Sequence, residues 1–128
     1  GNYHIVGFIH TPDGALAPQF LAQTVQQIDI MPTLLGLLGN REPYFAFGRD
    51  ILNDPDREPW AVMYDSEFRV VTDEALFSFD EERMTGATFR NGTSDREQTA
   101  SVENRLKALI QQYYGHVEAK NYTVEDNL

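Results

Sequence analysis

The sequence predicts an α+β fold in a single domain spanning residues 1–128. Three observations predict it. An unbroken apolar run near the N-terminus has strand character. A series of short apolar segments between Trp60 and Phe89 is punctuated by turn residues. A clean apolar face then recurs at helical spacing from Val102 to Val117. The expected order is strand, buried helix, small antiparallel meander and C-terminal helix.

Residues 3–10 carry Ile5, Val6, Phe8 and Ile9 with no clear polar face. Such a run suits a strand covered on both sides. Thr11-Pro12-Asp13-Gly14 then supplies a turn, because proline presets φ and glycine permits positive φ. From Gln26 to Gly39 the chain becomes strongly apolar. Ile28, Met31, Leu34, Leu35 and Leu38 recur at helical spacing, and Ile30 and Leu37 add apolar surface outside that stripe. A helix apolar nearly all round expects protein on most of its surface, so residues 27–38 read as a buried helix. Asp29 suits the positive end of the helix dipole. Pro32 cannot donate to the carbonyl of Ile28, so the early helix must bend or find another arrangement. Gly39-Asn40 is the stop.

Residues 41–59 read as irregular, with Pro43, Gly48, Pro55 and Pro59. Tyr44, Phe45 and Phe47 read as anchors that hold this loop to the core, in preference to an aromatic ligand site. Residues 60–65, 68–72 and 75–79 read as three strands joined by Ser66-Glu67 and Asp73-Glu74, with a fourth at 84–89 ending on Asn91-Gly92. Thr99 or Ser101 is the expected cap of a final helix over 99–120. Its apolar face is Val102, Leu106, Leu109, Ile110, Tyr113 and Val117. Fraying is expected beyond Gly115, and a loose tail from Asn121 to Leu128.

Composition narrows the function. Acidic residues number 20 against 10 basic ones, giving a net charge of −10. That balance argues against non-specific nucleic-acid binding and against docking on an anionic membrane surface. Apolar residues at 41% and charged residues at 23% are ordinary for a globular domain. The absence of cysteine removes disulfides, thiolate metal sites and a cysteine nucleophile. No apolar run reaches the roughly 18 residues of a membrane span. Gly1-Asn2-Tyr3 has no signal-peptide character and does not read as a natural start.

Few side chains invite a chemical role. His4, His10 and His116 are far apart in sequence. His4 and His10 would sit on one face of a strand but about 20 Å apart, too far to share a metal ion. Asp29 and Thr33 stand one helical turn apart, so a carboxylate and a hydroxyl could share a site, although capping explains Asp29 more simply. Arg49-Asp50 after Gly48 suits a phosphate clamp less well than a turn-stabilising ion pair. Asp80-Glu81-Glu82 reads as a solvated turn, with no calcium-loop spacing. Asn91-Gly92-Thr93 and Asn121-Tyr122-Thr123 match the N-glycosylation pattern. No catalytic, cofactor-binding or metal-binding residue is assigned.

Three segments carry a family resemblance. Ile28-Asp29, Pro32-Thr33-Leu34-Leu35, Leu37 and Gly39 resemble the "I-D-x-x-P-T-L-L-x-L-x-G" segment near the C-terminus of sulfatases and of lipoteichoic-acid synthase-like phosphoglycerol transferases. Both groups belong to the alkaline phosphatase superfamily. Tyr3 to Pro12 resembles the preceding "H-I-P-x-x-I-Y-x-P" strand, with Val6-Gly7 departing where the family has proline. Phe47-Gly48-Arg49-Asp50-Ile51-Leu52 resembles the following "F-G-x-D-L-L". The match covers residues 3–52.

The resemblance implies that these residues end an alkaline phosphatase-like α/β core. It places the family's nucleophile and metal ligands upstream of residue 3, so none is carried over. The expected function is that of a C-terminal part of an exported phosphoglycerol transferase or sulfatase-like hydrolase. That part would be structural and would support the substrate cleft. The parent would use a divalent metal (manganese, magnesium, calcium or zinc) outside the cytoplasm and could be membrane-anchored upstream. The partner is then the N-terminal catalytic part of the same protein, with self-association through the first strand or first helix expected in its absence. The alternative is a self-contained acidic protein-interaction domain without catalytic activity.

Overall fold

The computed structural model describes residues 5–54 and 57–120. The α+β expectation holds: a four-stranded antiparallel sheet is followed by a long helix and preceded by a short one. The strands are β1 (Trp60–Asp65), β2 (Glu67–Thr72), β3 (Ala75–Phe79) and β4 (Met84–Phe89), in the spatial order β1-β2-β3-β4. Each strand pairs with its neighbour in sequence, as short connections dictate.

The connections explain that order. Asp65 pairs with Glu67, and Ser66 turns the corner at a φ of 62°. Between β2 and β3 the buried Thr72 hydroxyl accepts from the backbone N–H groups of Glu74 and Ala75 at 3.3 and 3.0 Å. A threonine thus does the work that glycine does in commoner hairpins. Between β3 and β4, Asp80 Oδ1 accepts from the N–H groups of Glu82 and Arg83. The Arg83 N–H, then the Glu82 N–H, hold its carboxyl below the usual range. The acidic run is therefore a turn built on one carboxylate.

Alternation along the strands sends one set of side chains inward. Trp60, Val70, Ala75, Phe77 and Phe79 form the core with Val102 and Leu106 of α2 (Arg96–Ala119). Phe68, Met84, Phe89, Leu109 and Ile110 pack around them. The opposite face carries the rows Ala61-Val71-Leu76-Thr88 and Met63-Arg69-Ser78-Gly86. Arg105 stacks its guanidinium 3.9 Å over the Trp60 ring and bonds Glu58, fixing α2 to the entry of β1.

The long helix starts earlier than the sequence suggested. Asp95 is its N-cap and accepts from the Gln98 N–H at 2.9 Å. Thr99, an expected cap, instead donates its hydroxyl back to the Asp95 carbonyl. The helix also runs past Gly115 to Ala119, where Lys120 turns left-handed at a φ of 55°. The expected tail, 121–128, lies outside the described residues.

Two expectations for the N-terminal half fail. Ile5–His10 form no strand; they run as exposed chain, and Tyr3 and His4 lie outside the described residues. A strand exists only with a neighbour to bond. All four strands of this sheet come from residues 60–89, and none pairs with the N-terminal run. The first helix is short, a 3₁₀ turn at Gln27–Asp29 leading into α1 (Ile30–Leu37). It is not buried as its apolar character predicted. Ile28, Ile30, Met31 and Leu34 are exposed, and Leu38 is 81% exposed. Its buried residues are Asp29, Pro32 and Thr33. Pro32 is accommodated because α1 begins at Ile30. Its missing N–H therefore falls among the first-turn donors that have no partner within the helix.

Candidate functional site: a polar lock beneath an apolar arm

The inverted burial of α1 has a cause. Asp29, only 3% exposed, uses both carboxylate oxygens on backbone: Oδ1 accepts from the Arg49 N–H at 2.9 Å and Oδ2 from the Gln26 N–H at 3.0 Å. One turn on, the Thr33 hydroxyl donates to the Asp29 carbonyl at 2.7 Å and accepts from the Ile51 N–H at 3.1 Å. The two residues do share a site, and each serves backbone groups there. They clamp the loop at 49–51 against the helix.

Two glycines make the clamp close. A Cβ on Gly48 would lie 2.0 Å from the Ile28 carbonyl oxygen, and one on Gly36 would lie 1.9 Å from Asp50 Oδ2. Asp50 in turn accepts from the N–H groups of Leu52 and Asn53 and from the Asn53 amide. Asp29 and Thr33 of the first resembling segment and Gly48 and Asp50 of the second thus meet in one lock. Sequence spacing brought Asp29 and Thr33 together, but nothing in the sequence linked them to Gly48, Arg49 and Ile51.

Arg49 departs from its expected role. The turn-stabilising pair with Asp50 does not form. Arg49 is 4% exposed, and its Nη2 donates to Gln23 Oε1 and to the Thr24 carbonyl, both at 3.2 Å. Its Nη1 is buried, with no hydrogen-bond partner among the described residues. Arg57 reaches the same loop, donating to the carbonyls of Gly48 and Phe47.

The lock is tied to the sheet at two points. Asp73, at the β2–β3 turn, accepts from both the N–H and the hydroxyl of Thr24 at 2.6 Å. Gln26 Oε1 accepts from the Val62 N–H at 3.1 Å, occupying one outward donor of edge strand β1. Neither glutamine at 23 or 26 carried a signal in the sequence, because long polar side chains are usually solvated.

The aromatic anchors act as expected at two of three positions. Phe45 and Phe47 stack edge to face at 5.1 Å and pack on α2 through His116, at 4.6 and 5.9 Å between ring centres. Tyr44 stays exposed. Beside them Met63, Tyr64, Phe68, Tyr113 and Tyr114 line a groove of about 540 Å³. His10 is exposed, His116 is half-buried between the two phenylalanines, and His4 lies outside the described residues. Among the described residues, no group of three or more His, Cys, Asp or Glu side chains converges to hold a metal ion.

What the lock supports is an open apolar surface. The arm (residues 5–25) and α1 leave Ile5, Val6, Phe8, Phe20, Ile30 and Leu38 exposed, and Phe8 is 89% exposed. A hollow of about 1280 Å³ lies among them, lined by Ile9, His10, Leu16, Phe20, Leu34 and Leu38. From residue 5 to residue 38 the only charged side chains are Asp13 and Asp29, and Asp29 is buried. A surface that faces water normally carries far more charge than this.

No protein-family model, no curated protein and no solved structure matches this chain. Fold and site define a class by themselves: a small α+β domain with a finished sheet–helix core and an apolar N-terminal surface held open by a polar lock. Among the described residues no helix is long and apolar enough to cross a membrane.

Proposed function

We propose that this chain is the C-terminal part of an exported, metal-dependent phosphoglycerol transferase or sulfatase-like hydrolase, with a structural, cleft-supporting role. One observation carries the reading. The two segments that resemble that family, Gln26–Gly39 and Phe47–Leu52, fold onto each other through positions that define the resemblance: Asp29 accepts from the Arg49 N–H, Thr33 accepts from the Ile51 N–H, and Gly48 lies against the Ile28 carbonyl. The open arm then has a natural use as the seam against an upstream catalytic portion. The divalent metal and the nucleophile would belong to that portion. The described residues do not converge on a metal, and no chemical step is derived for them.

The reading predicts that the 128-residue chain alone turns over neither aryl phosphate nor aryl sulfate esters with manganese, magnesium, calcium or zinc. A protein expressed with the residues encoded ahead of Gly1 is expected to turn over one of them. Turnover that follows the pure short chain through purification contradicts the reading. The alternative, an acidic interaction domain without an enzymatic parent, draws on the same exposed arm. It is favoured if no catalytic sequence precedes Gly1.

A second expectation concerns the short chain in isolation. Its uncovered arm and α1 should drive self-association, most simply as a symmetric pair. Sedimentation at low micromolar concentration should show a dimer or larger species. Phe8→Asp or Leu38→Asp should return it to a monomer. A monomeric wild type at these concentrations contradicts the expectation.

A further inference from the structure

Arg49 is the one buried side chain whose chemistry the lock does not explain. The lock uses its backbone N–H, and its guanidinium contributes nothing to Asp29 or Asp50. Nη2 rests on two neutral oxygens, Gln23 Oε1 and the Thr24 carbonyl, and among the described residues Nη1 has no hydrogen-bond partner. A buried guanidinium ordinarily faces a carboxylate, because a charge taken out of water without a counter-charge is costly. The neighbourhood repeats the imbalance. Burial holds Arg105 below its usual value against the pull of Glu58, and the positive charges of Arg57 and Arg49 act in the same direction as burial. Among the described residues Arg105 bonds the Glu58 carboxylate, whereas the guanidinium groups of Arg49 and Arg57 bond neutral oxygens.

Position connects this excess to the apolar surface. Gln23, which holds Nη2, also lines the hollow beside Leu34 and Leu38. One neutral side chain thus separates the guanidinium from the space that a covering segment would fill. A rotamer change at Gln23 is enough to exchange its oxygen for a carboxylate.

We infer that Arg49 is one half of an ion pair whose other half is an acidic side chain on the polypeptide that covers the arm. This rests on the reading above, in which an upstream segment of the same protein supplies that cover. The partner surface is therefore mainly apolar, to match residues 5–38, with an aspartate or glutamate opposite Gln23. The fork of the guanidinium gives such a pair its geometry, since it can bind both carboxylate oxygens at once. The pair sets the register of the seam, and the apolar contacts supply most of the stabilisation.

The test compares Arg49→Met and Leu38→Asp in two forms, the 128-residue chain at a concentration that keeps it monomeric and the protein expressed with the residues encoded ahead of Gly1, by thermal unfolding. In the longer form Arg49→Met is expected to lower the midpoint by about 10 °C, because it strands a buried carboxylate. In the short chain, where that carboxylate is absent, the shift should be less than half as large. Where Arg49→Met does not fold, Arg49→Lys in both forms should show the same contrast on a smaller scale. Equal shifts in the two forms overturn the inference, because the chain itself then satisfies Arg49. Leu38→Asp separates this failure from failure of the seam. If it destabilises only the longer form while Arg49→Met does not discriminate, the seam stands and the ion pair falls. If neither discriminates, or if no sequence precedes Gly1, both fall. A final arm adds sodium acetate or sodium chloride at equal ionic strength to the short chain. Stabilisation by acetate that Arg49→Met abolishes would identify a free carboxylate as the occupant and overturn the polypeptide partner.

Discussion

Replacing Gly48 with alanine is expected to open the lock. The new Cβ would lie 2.0 Å from the Ile28 carbonyl oxygen, 2.4 Å from its carbon and 2.8 Å from the Asp29 nitrogen. All three are backbone atoms, so no side-chain rotation relieves the contact. The loop must withdraw, and the Arg49 N–H and Ile51 N–H lose Asp29 and Thr33 as acceptors. Overpacking costs about 1–3 kcal/mol, and each buried group left without its partner adds about 1–3 kcal/mol. The loss should therefore approach the whole stability of the N-terminal half. Amide hydrogen exchange is the suitable measurement. Arg49 and Ile51 should lose protection in Gly48→Ala, while Val70 and Phe77 keep theirs. Gly86→Ala is the control, since its Cβ would meet Ser78 Cβ at an ordinary 3.9 Å. Unchanged protection at Arg49 in Gly48→Ala would show that the lock does not depend on that close approach.

Phe77→Ala should be the most damaging substitution in the sheet. Phe77 is 0% exposed, sits among Val70, Phe79 and Leu106, and meets the edge of Phe89 at 5.6 Å and 84°. Truncation removes the ring from both the sheet and α2 and leaves a cavity, for a loss of about 3–5 kcal/mol. Domains of this kind are stable by only about 5–15 kcal/mol, so urea unfolding should shift to much lower concentration or the native state should be lost. Phe8→Ala, the same chemical change on the exposed arm, should stay within about 0.5 kcal/mol in the short chain at a concentration low enough to keep it monomeric. Equal losses at the two positions would mean that the arm is covered in solution.

The sheet and long helix were legible because each declares itself locally. Trp60 to Phe89 alternates, breaks at polar pairs and needs only neighbouring strands to be satisfied. Val102 to Ile110 repeats at helical spacing against that same sheet. The first strand was misread for the converse reason: Ile5 to Ile9 has the composition of a buried strand, but a strand requires an edge to bond, and no edge of this sheet receives it. In α1 the apolar stripe does record what the surface is suited to touch. It could not reveal that Asp29 and Thr33 would be the residues buried within the chain. That inversion depends on contacts with Arg49 and Ile51, some 18–20 positions away, which have no period to betray them. The Arg49-Asp50 pair was misjudged because adjacency in sequence suggested an ion pair, whereas the tight turn after Gly48 directs the two side chains to different partners.

The tethers from Thr24 to Asp73 and from Gln26 to Val62 impose an order in time. The meander and α2 assemble from neighbours in sequence, which is the fastest kind of folding. The arm, by contrast, emerges from the ribosome first and finds its resting place only after the β2–β3 turn has been made. At about 5–20 residues per second, Thr24 and Gln26 wait seconds before the hairpin that holds them exists. Any sequence synthesised ahead of Gly1 would already be present during that interval.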